Sequence, residues 1–232
     1  MTVSALVSGG KDSIYAACLA ETQGRPVDEF VVLRPSDPES MMFHTPNLDL
    51  VALQAEAWGT SYRAVEVGPG GETAEEAALA RALAGRRGWI VVGAIESSYQ
   101  WARVLRVADA VGRPVYAPLW RRPPERVVRE EIAAGLDIRF VHLAAEALDP
   151  AWLGERLDAE RLARLTDGPL RRAGVHVAGE GGEYETLVVD APFFRRPIVL
   201  DDVERTVRPP TARLTVRNAH LLDAPRRPTG SR

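Results

Sequence analysis

The sequence predicts an α/β protein, in which a parallel sheet with helices on both faces is followed by a smaller α+β domain. Short apolar segments alternate with segments of helical length through the first half, as in strand–helix–strand units. Four of these apolar segments lack internal polar alternation, which fits strands buried on both faces. A glycine-rich segment directly follows the first strand, at the sheet edge where such folds bind ligands.

Five apolar segments of the first half are predicted to be strands. The second is stopped by Pro35 and Pro38, because proline cannot continue the hydrogen-bond ladder of a central strand. The predicted strands are residues 3–7, 30–33, 62–67, 89–93 and 115–116.

Four helices are predicted to connect these strands. Asp12 or Ser13 can cap the first helix, since both side chains accept hydrogen bonds from exposed helical N–H groups. Pro46 opens the second helix and Gly59 closes it. The predicted helices are residues 13–21, 46–57, 73–83 and 99–110.

The proline-rich segment PLWRRPP at residues 118–124 marks a change in composition, and we place a domain boundary there. The first domain is expected to span residues 1–118 and the second residues 119–224. Residues 225–232 are polar and basic and are expected to be disordered. In the second domain the predicted helices are residues 125–134 and 159–172, and the predicted strands are 138–143, 187–190, 197–200 and 212–216.

Composition excludes several classes of protein. The 232 residues carry a formal net charge of −3, which argues against a general nucleic-acid-binding protein. No apolar run is long enough to span a membrane and no signal peptide is evident, so we expect a cytoplasmic protein without a membrane partner. A single cysteine, Cys18, excludes a disulfide framework and a cysteine zinc site.

The segment Ser8-Gly9-Gly10-Lys11-Asp12-Ser13 has the features of a phosphate-binding loop, although its spacing differs from the common G-x-x-x-x-G-K-[ST] loop. The glycines let an anion approach the main chain, and the following helix start supplies unpaired N–H groups and a positive dipole end. Lys11 is the one lysine among 29 basic residues, and its compact ammonium fits against a single phosphate oxygen. Asp12 is a candidate magnesium ligand.

The string SGGKDS at residues 8–13 resembles the signature of the PP-loop ATP pyrophosphatases, whose domain is adenine nucleotide alpha hydrolase-like and Rossmann-like. Further strings make the chain similar to the diphthine–ammonia ligase (diphthamide synthase) family over about residues 2–222. These strings are MFH at 42–44, GAIESSYQ at 93–100 with Arg103, PLW at 118–120, WLG at 152–154 and GEGGEYET at 179–186. The last is the most specific.

This resemblance implies an enzyme that uses ATP and Mg²⁺. It implies adenylation of a carboxylate on diphthine, a modified histidine of elongation factor 2, followed by amidation with ammonium and release of AMP and pyrophosphate. The implied partners are ammonium and that protein acceptor, and a homodimer is compatible with the sequence.

The matched strings supply the candidate site residues. The catalytic candidates are Lys11, Asp12, Glu183 and Glu185, with one of the two glutamates binding ammonium and removing its proton. The candidate magnesium ligand is Asp12. The candidates for binding ATP are Ser8, Gly9, Gly10, Lys11, Asp12, Ser13, Leu33, His44 and Gly93. The candidates for binding the other substrates are Ser97, Tyr99, Gln100, Arg103, Trp120, Glu180, Gly181, Gly182, Tyr184 and Thr186.

Several of these residues also have simpler interpretations. Residues 179–186 crowd three carboxylates among glycines, which suits a cation pocket but also a solvated hairpin turn. Ser97 can be a plain helix cap and Arg103 a surface charge, while His44 can be a hydrogen-bonded loop residue.

Two departures from the family pattern leave the acceptor open. Leu105 stands where many members have an acidic residue, and Pro123-Pro124 stand where an Asp-Gln pair is frequent. The alternatives are a PP-loop enzyme acting on tRNA or a small molecule, and a non-catalytic adenine-nucleotide sensor. The single cysteine argues against sulfur transfer, and the acidic motif of the second domain argues against a simple sensor.

Overall fold

The computed structural model describes residues 1–35 and 47–223. The first half forms a five-stranded parallel sheet in the order β3-β2-β1-β4-β5. The chain therefore crosses from β3 at one edge to β4 beside β1, and the switch point lies between β1 and β4. The strands are β1 Ser4–Leu6, β2 Glu29–Pro35, β3 Ser61–Val67, β4 Ile90–Val91 and β5 Val115–Tyr116.

Helices cover both faces of this sheet because successive strand residues point to opposite sides. Phe30 and Val32 of β2 belong to the apolar cluster that contains α1 and α2, whereas Val31 and Leu33 belong to the cluster that contains α3 and α4. The helices are α1 Lys11–Thr22, α2 Leu50–Trp58, α3 Gly71–Leu83 and α4 Ser98–Val111. These elements confirm the predicted parallel α/β fold.

Over residues 119–223, the second half forms an antiparallel sheet in the order β7-β6-β9-β8, accompanied by three helices. The helices are α5 Pro124–Ala133, α6 Ala159–Thr166 and α7 Pro169–Arg172, with a single 3₁₀ turn at Pro150–Trp152. The strands are β6 Asp137–Leu143, β7 Tyr184–Asp190, β8 Ile198–Arg208 and β9 Thr211–Leu221.

The two halves share one apolar cluster, which runs from β1, α1 and α2 into α5 and the second sheet. Helix α1 lies at the centre of this arrangement, and the hydroxyl of Tyr15 donates a hydrogen bond of 3.3 Å to Glu130 of α5. The start of α1 faces β7. None of the described helices is long and apolar enough to cross a membrane.

Five sequence predictions are wrong in detail. Helix α1 begins at Lys11 with Gly10 as its N-cap, so neither Asp12 nor Ser13 caps it. Helix α2 begins at Leu50, so the predicted start at residue 46 is wrong.

The helix predicted at 159–172 is broken between α6 and α7, because Gly168 takes a φ of +72° and Pro169, which lacks an N–H group, starts the next helix. Strands β8 and β9 are each 11 residues long and extend well beyond the predicted strands at 197–200 and 212–216. The prediction was too short because the outer ends of these strands are polar and exposed and leave no apolar signal. Strand β3 is a half-exposed edge strand and is not buried on both faces.

Candidate active site

The glycine-rich loop after β1 is held against strand β7 of the second sheet. The carbonyl of Gly9 accepts hydrogen bonds from the Val188 N–H at 3.0 Å and from Nε2 of Gln54 at 2.9 Å. The same Gln54 Nε2 donates to the Val188 carbonyl at 2.7 Å, and its side chain is fully buried. Two residues further on, the N–H of Lys11 donates to Oγ1 of Thr186 at 3.2 Å. The conformation of the loop is therefore set jointly by α2 and β7.

Glycine is required at two positions around the start of α1. Gly9 has a φ of +86°, a conformation that side-chain-bearing residues rarely adopt. A Cβ on Gly93, just after β4, would lie 2.6 Å from both the Asp12 carbonyl carbon and the Ser13 nitrogen. Gly10 is the N-cap and offers no side-chain oxygen, so the first turn of α1 keeps its anion-binding character. We call this glycine-lined loop and the first turn of α1 the phosphate cradle, because its position at the sheet switch point and its amide groups fit a phosphate group.

Lys11 lies at the floor of the cradle with 2% of its surface exposed. Its Nζ donates to the two carboxylate oxygens of Asp12 at 2.7 and 2.8 Å and to the Ala178 carbonyl at 2.8 Å. Burial alone would lower the pKa of Lys11, but the charge and the hydrogen bonding of Asp12 act against burial, and the pKa is raised. Lys11 is therefore a permanent cation, and it must exchange one of these three bonds to donate to a phosphate.

Glu131 of α5 lies behind this pair and is fully buried. Neither of its carboxyl oxygens has a hydrogen-bond donor among the residues that the structure describes. Burial and, after it, the charge of Asp12 raise the pKa of Glu131 well above its ordinary value. A carboxylate can only accept, so Glu131 pairs with Asp12 when Glu131 holds a proton.

A cavity of about 590 Å³ opens above Lys11, between the carboxyl ends of the parallel strands and the 178–186 segment. Its volume is in the usual range for a small-molecule site. From the first half, the predicted site residues that line it are Ser8, Gly10, Lys11, Asp12, Ser13, Leu33, Gly93, Ser97, Gln100 and Arg103. From the second half they are Glu180, Gly181, Gly182, Tyr184, Glu185 and Thr186. The structure thus brings most of the predicted residues to one place.

Four of the described candidates do not line the cavity, namely Gly9, Tyr99, Trp120 and Glu183. The Tyr99 ring is exposed, with the Arg103 guanidinium 5.1 Å from its centroid, and Trp120 stacks on Trp101 at 4.7 Å. The carboxylate of Glu183 accepts from the N–H groups of His176 at 3.2 Å and Gly181 at 3.0 Å, which closes its own loop. His44 lies outside the described residues.

Glu180 links the two halves at the rim of the cavity. Its Oε2 accepts from the Glu96 N–H at 3.3 Å, and Nε2 of His176 lies 3.3 Å from the Glu96 carboxylate. Burial, followed by the charge of Asp12, raises the pKa of Glu180. The acidic motif therefore belongs to a cavity wall and is not a freely solvated hairpin turn.

Arg103 is buried, so the surface-charge interpretation is wrong. Its guanidinium pairs with Glu75 at 2.6 Å and donates to the Glu72 carbonyl at 3.0 Å. Ser97 is the N-cap of α4, where its side chain accepts from the Gln100 N–H at 3.3 Å. The simple capping interpretation of Ser97 is therefore confirmed, although this residue also lines the cavity.

Sequence reasoning missed Gln54, Glu75, Glu131 and His142, which all lie in or directly behind the site. A signal existed for Glu131, because it shares the buried face of α5 with Val127 and Val128 at helical spacing. Gln54 gave no such signal, since its role depends on partners 45 and 134 residues away.

The predicted magnesium ligand, the Asp12 carboxylate, lines the cavity, as do the side chains of Glu75, Glu76, Glu180 and Glu185. Within residues 1–35 and 47–223, no group of three or more histidine, cysteine, aspartate or glutamate side chains is arranged to hold a metal. This arrangement fits Mg²⁺ delivered with phosphates, because that ion commonly uses one or two carboxylates together with phosphate oxygens and water.

Comparison with known proteins identifies relatives along nearly the whole chain. Residues 1–114 match the family described as diphthamide synthase N-terminal domain, and residues 123–221 match diphthamide synthase C-terminal domain. The sequence is 33% identical to the diphthine–ammonia ligase of Rattus norvegicus over 95% of this chain and 92% of the relative. It is 32% identical to that of Homo sapiens over 96% of this chain and 93% of the relative. A solved structure titled as a predicted subunit of tRNA methyltransferase from Methanocaldococcus jannaschii is 14% identical, with a TM-score of 0.40, covering 72% of this chain and 87% of that chain.

We expect Gly93→Ala to weaken ATP binding at least about tenfold, a cost of about 1.4 kcal/mol. The new Cβ would lie 2.6 Å from the peptide group that joins Asp12 and Ser13 in the first turn of α1, and it would displace the amides that face the ligand. Titration calorimetry with ATP measures the effect. Gly68→Ala is the matched control, because a Cβ at Gly68 meets no atom within 4 Å. Equal affinity of both variants would show that the Gly93 contact does not shape the site.

We expect the stability of Glu131→Gln relative to the parent protein to increase as the pH rises above the ordinary glutamate pKa. A raised native pKa means that the native state holds more protons than the unfolded state above about pH 4.5. The parent's unfolding free energy then falls with rising pH by about 1.4 kcal/mol per unit until the native carboxyl ionises, and glutamine removes this loss. Urea denaturation at a series of pH values measures this relative stability.

Glu130→Gln is the matched control on the same helix. Burial alone would raise the pKa of Glu130, but hydrogen bonds from Arg122 and Arg126 lower it. Because the native pKa of Glu130 is lowered, the ionised carboxylate stabilises the parent protein at pH values above the unfolded pKa, and this stabilisation is lost on acidification. The loss of unfolding free energy in Glu130→Gln should therefore shrink as the pH falls. Parallel pH profiles for the two variants would contradict a protonated Glu131.

Proposed function

The chain belongs to the diphthamide synthase family, and we propose that it is an ATP-dependent ligase that amidates the diphthine carboxylate of elongation factor 2 with ammonium, releasing AMP and pyrophosphate. The observation that carries this proposal is the buried Lys11–Asp12 pair at a helix start whose N-cap is a glycine, in a cavity walled by both halves of the chain. One half supplies a phosphate cradle, and the other supplies carboxylates that suit a cationic nitrogen substrate.

We propose that the first step is adenylation of the acceptor carboxylate. The amides of the first turn of α1 and the Lys11 ammonium bind the β and γ phosphates of ATP, and this places the α phosphorus toward the open cavity. The acceptor carboxylate oxygen forms a bond to the α phosphorus, and the bond to the pyrophosphate oxygen breaks. The residues contribute mainly placement and charge neutralisation. Mg²⁺, held by Asp12, would neutralise phosphate charge.

The second step is amidation, and Glu185 is the residue best placed to assist it. Glu185 lines the cavity, whereas the Glu183 carboxylate is committed to its own loop. We propose that Glu185 binds ammonium and accepts one of its protons. The freed nitrogen then forms a bond to the acyl carbon, the bond to AMP breaks with its electron pair leaving on the phosphate oxygen, and the nitrogen loses a second proton to water.

Lys11→Ala should lower acceptor-dependent AMP formation by about 100- to 1,000-fold, because the variant loses the buried cation at the phosphate cradle. Lys11→Arg should also be impaired, since a wide planar guanidinium does not fit the bonds that Nζ makes to Asp12 and Ala178. Chromatography of labelled ATP with acceptor and ammonium measures the products, and circular dichroism checks folding. Arg172→Ala, an exposed cation, is the control.

The products distinguish this mechanism from other uses of ATP. Formation of ADP in place of AMP would overturn the cleavage site, and normal AMP formation by Lys11→Ala would remove the loop from the mechanism. AMP formation without any dependence on acceptor would overturn the ligase assignment.

Glu185→Gln should lower the amidation rate by about 100-fold or more while leaving adenylation intact, because glutamine keeps the size of the side chain but cannot take a proton. Mass spectrometry of elongation factor 2 that carries diphthine measures amide formation, and exchange of labelled pyrophosphate into ATP measures adenylation. Glu146→Gln, an exposed carboxylate after β6, is the control. Unchanged amidation by Glu185→Gln would exclude this residue as the base.

A further inference from the structure

His142 of β6 lies directly beside Glu185 of β7 in the antiparallel register of the second sheet. Directly opposed residues of such strands present their side chains to the same face of the sheet. The His142 Nδ1 and Glu185 Oε1 atoms are 3.7 Å apart, just beyond a hydrogen bond. On its other side His142 is paired in register with Arg213 of β9. Glu185, His142 and Arg213 thus form one row across three strands, with only Glu185 among the cavity-lining residues.

Two atoms of this pair are buried without satisfying their hydrogen-bonding capacity. His142 Nδ1 and Glu185 Oε2 have no hydrogen-bond partner in the described part of the chain. The histidine side chain is 14% exposed and the glutamate side chain 25%. A buried polar atom left unpaired is costly, and a short movement of either side chain would bring Nδ1 of His142 within hydrogen-bonding distance of Oε1 of Glu185. Catalytic hydrogen bonds are often long before the substrate binds.

We propose that His142 is a positioning residue for the amidation step, which holds the Glu185 carboxylate toward the nitrogen substrate through an Nδ1–H···Oε1 hydrogen bond. The proposal rests on the function proposed above. His142 keeps its proton and touches neither ATP nor ammonium. Its effect is to restrict rotation of Glu185 and leave the second carboxylate oxygen as the ammonium acceptor.

A purely structural histidine would behave differently. Phenylalanine fills a similar volume, so replacing a space-filling histidine would affect both reaction steps equally or neither. A positioning histidine affects only the step that uses Glu185. Asparagine distinguishes the two roles further, because its Nδ2–H₂ group donates from nearly the same place as Nδ1 of histidine.

The kinetic experiment compares His142→Phe, His142→Asn and the parent enzyme. We expect His142→Phe to lower kcat/KM for ammonium by about 10- to 100-fold, in line with the loss of a hydrogen bond to a charged group. His142→Asn should retain kcat/KM for ammonium within about threefold of the parent value. Pyrophosphate exchange in the absence of ammonium should be unchanged in both. His220→Phe is the matched control, because His220 is exposed on β9 and pairs with Asp201.

Equal losses in both steps, or no loss in His142→Phe, would overturn the positioning role. If the parent enzyme forms no acceptor-dependent AMP, the proposed ligase function itself fails. A measurement without turnover then decides the proposal, namely nitrogen NMR of the four histidine rings, with His142 assigned by its loss in His142→Asn. We expect a proton on Nδ1 and a shift of this signal in Glu185→Gln. A ring protonated only at Nε2, or insensitive to Glu185→Gln, would overturn the pairing.

Discussion

The structure depends on the hydrogen bonds that join the glycine-rich loop to strand β7. The Gly9 carbonyl and the Lys11 amide both bond to this strand, so the backbone on each side of Gly10 is held by the second half of the chain. Gln54 reinforces the junction by donating to both Gly9 and Val188. The conformation of the phosphate cradle therefore depends on the second half of the chain, although the loop and helix start that form the cradle belong to the first half.

The same junction explains the charge arrangement at the site. Lys11 is the one ammonium near three buried or half-buried carboxyl groups, those of Asp12, Glu131 and Glu180. Three ionised carboxylates around one cation would repel one another strongly in a region with little water. Burial, followed by the charge of Asp12, raises the pKa of both Glu131 and Glu180, as expected for carboxyl groups crowded in such a region.

Local patterns predicted the parallel sheet and the phosphate loop because their signals lie in contiguous residues, such as the glycines beside Lys11. The matched strings also predicted most of the cavity wall. Gln54, Glu131 and His142 could not be placed in this way, because each acquires its role from strands or helices distant in sequence. The long β8–β9 hairpin was underestimated for a related reason, since exposed strand residues are specified by cross-strand partners and not by apolar runs.

The hydrogen bond between Lys11 and Thr186 joins residues 175 positions apart. During synthesis on the ribosome, the loop emerges early, and the strand that completes it emerges much later, after a delay of about ten seconds or more at typical elongation rates. A nascent chain therefore carries an unfinished nucleotide cradle through most of its translation. The order of elements along the chain thus delays completion of the loop until β7 has been synthesised.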